Sequence, residues 1–325
     1  MSIEAPSTRP FRLQRSELAV PATSEHFFEK AAKGDADVIF LDIEDAVAPG
    51  MKVKGRQNAI AALNDIDWGS KTMVVRVNAL DTPWGIRDII DIADRCPRLD
   101  MILLPKAGTP ADVQFVDTLL GGIERDRGRE SPIGLEILIE SALGMANVEQ
   151  IAACSPRLEA MIFGVGDYSV DMRTFDKVFG VPNPDYAILT DGGADGRRER
   201  HWNDQWHFAL ARIANACRAY GLRAIDGPFT DYKDAEGYLA CARRSAALGF
   251  EGKWAIHPSQ VELANQVYTP SDDQIAWAQK LEMAIGEAEA DGIGAIGIDG
   301  VLVDMAHQKL ARFLLQRARG AQRIS

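Results

Sequence analysis

Two short apolar runs, each ending in a carboxylate, decide the fold: Ile133-Gly-Leu-Glu-Ile-Leu-Ile-Glu140 and Leu158-Glu-Ala-Met-Ile-Phe-Gly-Val-Gly-Asp167. The segment between them, from Met145 to Ala153, has helical character. Two buried parallel strands joined by a helix place their C-terminal ends side by side, where α/β folds keep their chemistry. Glu140 and Asp167 are therefore expected to be neighbours, and two hard oxygen ligands suit Mg²⁺. The alternative is two polar strand ends that face solvent.

The same alternation of strand and helix continues through most of the 325 residues. Eight segments are predicted as strands, at residues 12–20, 37–43, 72–78, 99–104, 133–139, 158–165, 222–226 and 252–257. Eight strand–helix units without a break in composition predict a (β/α)8 TIM barrel, an α/β fold, over residues 12–268. Residues 168–201 interrupt the rhythm, and an insertion of this length is typical of a lid or a subunit contact.

The last part of the chain differs in character. Ser271 and Gln274 predict a capping box for a helix that ends near residue 290. Asp299-Gly300 is a hairpin signal between two short apolar runs, and Asp304 can cap a final amphipathic helix. Residues 269–325 are therefore predicted to form a C-terminal helical and hairpin extension, which packs on its own barrel or reaches a neighbouring subunit.

Composition excludes several classes of protein. Four cysteines without CxxC spacing argue against a zinc site or a disulfide framework. A net charge of −11 argues against binding to nucleic acid or to anionic membranes. No apolar run is long enough to span a bilayer and the N-terminus lacks an apolar signal core, so we expect a cytoplasmic protein. The sequence contains no GxSxG motif, no P-loop and no GxGxxG after a strand, which leaves serine-esterase and nucleotide chemistry without support.

If the barrel forms, its C-terminal mouth collects one set of polar side chains: Glu44, Asp45, Arg76, Lys106, Glu140, Asp167, Asp226 and His257. Many acids around a small mouth repel one another, and a bound cation lowers that repulsion. Arg76 offers a planar fork for a carboxylate or an oxyanion. This set fits carbon–carbon bond chemistry better than ester hydrolysis by a serine. Lys106 fits a charged counter-ion better than a Schiff-base nucleophile.

Several of these side chains also have a structural interpretation. Glu44 and Asp45 fit groups that position metal-bound water better than they fit direct ligands. His257, before Pro258, can satisfy a buried backbone group, and Asp226 can fix a turn. The default interpretation of Asp304 is a plain helix N-cap.

Seven motifs follow one another in an order that is typical of one family. They are Leu41-Asp-Ile-Glu-Asp-Ala-Val47, Val75-Arg-Val-Asn78, Leu104-Pro-Lys106, Glu140-Ser-Ala-Leu-Gly144, Gly164-Val-Gly-Asp167, Asp226-Gly-Pro228 and Gly252-Lys-Trp-Ala-Ile-His-Pro258. From about residue 12 to residue 318 the chain resembles the citrate-lyase-β-like branch of the HpcH/HpaI aldolase superfamily, and within that branch the malyl-CoA lyases.

The resemblance implies a reversible, Mg²⁺-dependent cleavage of (S)-malyl-CoA into acetyl-CoA and glyoxylate, with Mn²⁺ as a possible substitute. It also implies a second substrate, β-methylmalyl-CoA, which yields propionyl-CoA and glyoxylate. Glu140 and Asp167 match metal ligands, Arg76 matches a residue that stabilises a thioester enolate, and Asp304 matches an acid/base that a neighbouring subunit donates. A homotrimer or homohexamer is implied, with substrate or CoA contacts at Lys30, Arg76, Gly166, Asp167, Ile256 and His257.

The chain departs from some relatives in the first loop. Ala19 and Ser24 stand where those relatives have a Phe and an Arg that contact CoA. The excursion at 168–201 is shared with this branch and absent from shorter citrate-lyase β chains, which favours a free-standing CoA enzyme. Two other interpretations stay open. One is a malyl-CoA thioesterase or a citramalyl-CoA lyase, and the other is a non-catalytic barrel subunit that binds a CoA or carrier-linked ligand.

Overall fold

Eight short apolar runs form parallel strands that close into a barrel. The computed structural model describes residues 9–174, 176–194, 196–290 and 294–323. Around the barrel the strands follow the order β1-β10-β9-β6-β5-β4-β3-β2. They are β1 (Ser16–Pro21), β2 (Val38–Asp42), β3 (Thr72–Arg76), β4 (Met101–Leu104), β5 (Gly134–Ile139), β6 (Leu158–Phe163), β9 (Arg223–Asp226) and β10 (Gly252–Ala255). The predicted TIM barrel is confirmed.

Helices follow the barrel strands along the chain. They are α1 (Phe28–Lys33), α2 (Lys52–Asp65), α3 (Gly85–Arg95), α4 (Pro110–Arg127), α5 (Ala142–Ala146), α6 (Val148–Ala152), α7 (Val165–Asp171), α8 (His207–Tyr220), α9 (Ala235–Ala247) and α10 (Pro258–Tyr268), with 3-10 turns at Glu25–Phe27 and Pro49–Met51. The capping box at the start of α4 pairs Thr109 with Asp112. The single helix predicted between β5 and β6 is instead two short ones that meet at Asn147, whose side chain donates to the carbonyl of Gly108 at 2.9 Å.

The barrel interior is an apolar layer with a polar layer on each side. Alternate residues of each strand point inward, because successive side chains leave a strand on opposite faces. The apolar layer consists of Val38, Phe40, Val74, Met101, Leu103, Leu138, Ala160, Ile162, Ile225 and Trp254. Glu17 and Glu136 occupy the N-terminal side of this layer, which we call the floor, and Asp42, Arg76 and Glu140 occupy the C-terminal side, the mouth.

The excursion after β6 contains a small antiparallel hairpin made of β7 (Ala187–Leu189) and β8 (Arg200–Trp202). The start of the excursion is held to the loop after β9: the N–H of Phe179 donates to the Thr230 hydroxyl at 2.9 Å, and the N–H of Thr230 donates to the Phe179 carbonyl at 3.0 Å. Gly180 between them has a φ of +84°, and a Cβ there would lie 2.6 Å from the carbonyl of Pro228. The role predicted for this excursion, a lid or a subunit contact, stays a prediction.

A second, smaller unit comprises residues 11–13 and 266–325. It consists of α11 (Asp272–Ala290), a hairpin of β11 (Ala295–Ile298) and β12 (Val301–Asp304), and α12 (Met305–Gly320). Asp299 and Gly300 have φ values of +51° and +80°, as the hairpin signal predicts. The Ser271–Gln274 capping box is also formed, with hydrogen bonds of 2.9 and 3.2 Å. Among the described residues, no helix is long and apolar enough to cross a membrane.

Candidate active site

Arg76 is held at the mouth by Asp42 on the neighbouring strand. The two residues are paired in register between β2 and β3, and both are buried. Arg76 Nε donates to Asp42 Oδ1 at 2.8 Å and an Arg76 terminal nitrogen donates to Oδ2 at 2.6 Å. Phe40 and Trp254 lie against the guanidinium, with ring centroids 5.8 and 5.5 Å from its central carbon. The fork predicted at Arg76 therefore grips a carboxylate, and that carboxylate belongs to the protein.

Glu44 lies between the two cations of the mouth. The other terminal nitrogen of Arg76 is 3.0 Å from Glu44 Oε2, and Lys106 Nζ donates to Glu44 Oε1 at 2.5 Å. Burial raises the pKa of Glu44, against the opposing effects of Arg76 and Lys106. Burial alone would lower the pKa of Lys106, but the hydrogen bond to Glu44 and the nearby acids raise it. Lys106 is therefore a charged counter-ion, and exposed Asp45 lies within 3.9 Å of both cations.

Glu140 follows β5 and is only 3% exposed. Its Oε1 accepts the backbone N–H of Lys106 at 2.7 Å, and Lys106 adopts a left-handed φ of +53° there. Its side chain lies over Gly164, where a Cβ would be 2.6 Å from Glu140 Oε2. Burial, followed by the charges of Glu44 and Asp167, raises the pKa of Glu140 to about 8.

Asp167 sits in the first turn of α7 and is half-buried. Glu140 packs against Gly164, which precedes α7, so the first turn of that helix brings the Asp167 carboxylate near Glu140. The charge of Asp167 also contributes to the raised pKa of Glu140. In the described part of the chain neither Asp167 nor Glu140 Oε2 has a hydrogen-bond partner. The expected neighbours thus combine one anchored and one open oxygen on Glu140 with an open carboxylate on Asp167.

This arrangement fits a divalent cation with an incomplete protein shell. Five carboxylates (Asp42, Glu44, Asp45, Glu140 and Asp167) face two cations, so the mouth has an excess of negative charge. Within the described ranges, no three His, Cys, Asp or Glu side chains are grouped so that they could hold a metal ion by themselves. Mg²⁺ is usually bound by one or two carboxylates together with water and substrate oxygens. Glu140 and Asp167 would hold it, and the remaining positions would be open to ligands.

A pocket of about 450 Å³ lies beside these groups. The loops that follow β2 and β3 form it, and its lining includes Glu44, Asp45, Lys52, Asp81, Trp84 and Lys106. Lys52 Nζ donates to the carbonyls of Ile43 and Glu44 at 3.3 and 2.7 Å, which holds the first loop in place. The mouth is therefore accessible from the side of the β2 and β3 loops.

Comparison with known proteins identifies the family. Residues 15–258 match the family model described as HpcH/HpaI aldolase/citrate lyase. The chain belongs to the HpcH/HpaI aldolase/citrate lyase family. An L-malyl-CoA/β-methylmalyl-CoA lyase of Cereibacter sphaeroides is 46% identical over 98% of both chains. A (3S)-malyl-CoA thioesterase of the same species is 34% identical over 97% of this chain and 96% of that protein.

A solved structure extends the comparison to bound ligands. The CitE protein of Mycobacterium tuberculosis, in complex with magnesium, acetoacetate and coenzyme A, superimposes with a TM-score of 0.69. It is 28% identical, and the match covers 94% of this chain and 97% of that one. A CitE-like, HpcH/HpaI-type barrel with lyases as its relatives is thus established for this chain.

Not every predicted residue of this HpcH/HpaI barrel points into the mouth. Asp226 faces the outer helical layer, where Lys253 Nζ donates to its Oδ2 at 2.7 Å and its Oδ1 accepts the N–H of Gly227 at 2.9 Å. The interpretation as a turn-fixing residue therefore describes Asp226 best. His257 is exposed, stacks on Tyr232 at 4.8 Å, and accepts the N–H of Ser259 through Nδ1 at the start of α10.

The other candidates lie on the surface or in the smaller unit. Lys30 is exposed and lies over the Phe27 ring, 5.9 Å from its centroid, whereas Gly166 is half-buried against Phe179. Ile256 is 37% exposed, and its N–H donates to Gln260. Asp304 belongs to the smaller unit, where it is exposed and caps α12 by accepting the N–H of Ala306 at 2.9 Å.

Asp42 belongs to the site, although the sequence motifs predict no role for it. Only Glu44 and Asp45, which follow the predicted strand at 37–43, are assigned roles from the sequence. The alternation Val38, Phe40, Asp42 was the available signal, because it puts Asp42 on the inward face beside Arg76.

Proposed function

We propose that this chain catalyses the reversible, Mg²⁺-dependent cleavage of (S)-malyl-CoA into acetyl-CoA and glyoxylate, and of β-methylmalyl-CoA into propionyl-CoA and glyoxylate. One observation carries the proposal: two neighbouring open carboxylates, Glu140 and Asp167, share the mouth with a fixed guanidinium. The 46% identity to a lyase with these substrates in its name supports the substrate assignment.

The metal and the arginine have separate tasks in this proposal. Bound at Glu140 and Asp167, Mg²⁺ supplies a Lewis acid for the oxygens of a 2-oxo acid. Arg76 stabilises the negative charge that the thioester oxygen gains when the carbon–carbon bond breaks and an enolate forms. Asp42 and Glu44 hold the guanidinium in place before substrate arrives, so no reorganisation is needed during the reaction.

Proton transfer is assigned to Asp304 of a neighbouring subunit. In the condensing direction its carboxylate removes a proton from the acetyl methyl group and gives it to the alkoxide that forms from the glyoxylate carbonyl. In the cleaving direction the carboxylate takes the hydroxyl proton as the carbon–carbon bond breaks and gives it to the enolate carbon. The hydrogen bond with His307, followed by that from the Ala306 backbone, lowers the pKa of Asp304. These hydrogen bonds favour the carboxylate form of Asp304, which is the form that a base requires.

The remaining assignments follow the family resemblance. Residues 269–325 form an extension that completes a neighbour's site in a homotrimer or homohexamer. Lys30 contacts the CoA phosphates, and Gly166, Ile256 and His257 contact the substrate. Mn²⁺ substitutes for Mg²⁺, and the protein works in the cytoplasm on acyl-CoA and glyoxylate.

Product analysis tests the reaction. Purified protein with Mg²⁺ is expected to convert malyl-CoA into acetyl-CoA and glyoxylate, and to form malyl-CoA from these two compounds. EDTA is expected to stop both directions, and excess Mg²⁺ to restore them. Absence of malyl-CoA turnover in the presence of Mg²⁺ contradicts the proposal.

A malyl-CoA thioesterase is the second candidate, because a relative with that name is 34% identical over nearly the whole chain. It would release free CoA and malate, with water attacking the thioester carbonyl. Measuring the free thiol and glyoxylate in the same reaction separates the two activities. Free thiol without glyoxylate would favour the thioesterase.

Mixed oligomers test whether Asp304 acts across a subunit boundary. Glu140→Gln and Asp304→Asn chains are each expected to be inactive alone. When the two chains are co-expressed in equal amounts and assemble at random, about a quarter of the sites combine an intact Glu140 with an intact Asp304. Recovery of activity near that fraction supports the shared site. No recovery in confirmed mixed oligomers means that Asp304 does not serve a neighbour.

A further inference from the structure

The guanidinium of Arg76 uses only part of its hydrogen-bonding capacity within the protein. It has five N–H groups in a rigid plane. Asp42 accepts two of them, one from Nε and one from the adjacent terminal nitrogen. The contact of the other terminal nitrogen with Glu44 Oε2, at 3.0 Å, is an ion pair in which that oxygen has no hydrogen bond. The terminal edge of the plane therefore keeps donors for a ligand.

Asp42 also fixes the turn that carries Glu44. Its Oδ1, which accepts Arg76 Nε, accepts the backbone N–H of Glu44 as well, at 2.9 Å. One buried carboxylate thus sets the orientation of the guanidinium and the position of the acid next to it. Both contacts start from a residue at the C-terminal end of β2, in register with Arg76.

We infer that Asp42 is a positioning residue for Arg76 and, building on the proposed function, that it keeps the terminal edge of the guanidinium directed at the thioester oxygen. Without Asp42, the nearest acids to Arg76 are Glu44, at 3.0 Å, and exposed Asp45, at 3.9 Å. The edge of the guanidinium that Asp42 binds, made of Nε and the adjacent terminal nitrogen, would then turn toward those acids. A bidentate pair with a carboxylate is the strongest contact available to that edge. Such a turn would withdraw the donors from the substrate.

The variant Asp42→Asn isolates this effect, because it keeps the shape of the side chain. The amide oxygen can still accept from Nε, but its NH₂ group meets a second donor on Arg76, so one of the two hydrogen bonds is lost. We expect kcat for malyl-CoA cleavage to fall about 100-fold with less than a threefold change in KM, because the lost interaction acts in the transition state.

Asp37→Asn is the matched control. Asp37 also accepts two hydrogen bonds from one guanidinium, Arg15, at 2.8 and 2.7 Å, and its Oδ2 also accepts a backbone N–H at 2.8 Å. It precedes β2 and so lies at the opposite end of that strand from Asp42. Asp37→Asn is expected to keep kcat within about threefold of wild type, even if it lowers thermal stability as much as Asp42→Asn does.

A double-mutant cycle shows whether Asp42 acts through Arg76. In an Arg76→Ala background, Asp42→Asn is expected to cause no further loss of kcat, because the group that it positions is already gone. An unchanged kcat for Asp42→Asn alone, or a further 100-fold loss in the Arg76→Ala background, overturns the inference. If wild type itself does not cleave malyl-CoA, it is the proposed function that fails.

Discussion

The two polar layers of the barrel contain similar residues and differ in how those residues are satisfied. At the floor, the amide nitrogen of Gln14 donates to Glu17 Oε2 at 3.0 Å and to Glu136 Oε2 at 2.7 Å. Arg223 donates to the oxygen of the same amide at 2.7 Å and to Glu159 at 3.1 Å. Acids outnumber cations there, as at the mouth.

β5 and the residue after it supply one acid to each layer. Glu136 and Glu140 both point inward, with Leu138 of the apolar layer between them. Glu136 is fully buried and shares a single amide with Glu17, whereas Glu140 has an open oxygen next to half-buried Asp167. An inward-facing acid is therefore a poor sign of a metal site by itself. The position at the C-terminal end and an open second carboxylate distinguish the mouth.

The two layers also handle their excess charge differently. Burial, followed by the charge of Glu136, raises the pKa of Glu17 well above its usual range, and the surrounding hydrogen bonds only partly oppose this shift. The floor is closed, and burial together with the charge of Glu136 favours the protonated form of Glu17 there. Glu140 also has a raised pKa, of about 8, but the mouth is open and a cation can replace the proton.

Replacing Glu140 at the mouth or Glu136 at the floor with glutamine gives the sharpest contrast between the two layers. Glu140→Gln keeps an oxygen for the Lys106 N–H but removes a charged ligand, and we expect kcat/KM for malyl-CoA cleavage to fall at least 1000-fold. Glu136→Gln at the floor is expected to stay within about fivefold of wild type. Steady-state kinetics with saturating Mg²⁺ measure both. Equal losses in the two variants would remove the functional distinction between the layers.

The effect of Mg²⁺ on thermal stability compares the mouth with the floor in the absence of substrate. A cation that binds only the folded protein at about 100 times its Kd adds about 2.7 kcal/mol to the free energy of unfolding. We expect 10 mM MgCl₂ to raise the Tm of wild type and of Glu136→Gln by a few degrees, with no rise for Glu140→Gln. Calorimetric scans against equal ionic strength of NaCl control for screening. A full shift in Glu140→Gln would show that Mg²⁺ binds elsewhere.

Much of the fold and part of the site follow from local sequence. The two runs ending in Glu140 and Asp167 mark buried parallel strands, and Asp299-Gly300 and Ser271 mark a turn and a helix start, each through contacts within a few residues. Whether a strand-end residue points into the barrel depends on its spacing from an inward-pointing residue of the same strand. An even spacing puts it on the inward face, and an odd spacing puts it on the outward face. Leu138 points inward and so does Glu140, whereas Ile225 points inward and Asp226 therefore points outward.

Contacts between distant strands do not follow from local sequence patterns. The pairing of Asp42 with Arg76 depends on the register of β2 against β3, and the floor network joins residues as far apart as Gln14, Glu136 and Arg223. Neither register nor network is visible in a local pattern, because each is set by closure of the barrel.

The floor itself yields the smallest effect, a pH-dependent gain in stability. Because the folded state holds the proton on Glu17 more tightly than the unfolded chain does, folding stability falls as pH rises above about 4.5, the pKa of an exposed Glu, toward the raised pKa of the folded state. Glu17→Gln removes this loss, and we expect it to be neutral at pH 4.5 and to stabilise the protein relative to wild type at pH 8. Urea unfolding at the two pH values measures the difference.

Glu44→Gln serves as the comparison at the mouth, where burial also raises the pKa of the acid but Arg76 and Lys106 bind its charged form. That variant removes the carboxylate that Arg76 and Lys106 share and is expected to give no gain at pH 8. A destabilised Glu17→Gln at pH 8 would mean that the floor holds Glu17 as a charged group, and the contrast between the two layers would then rest on solvent access alone.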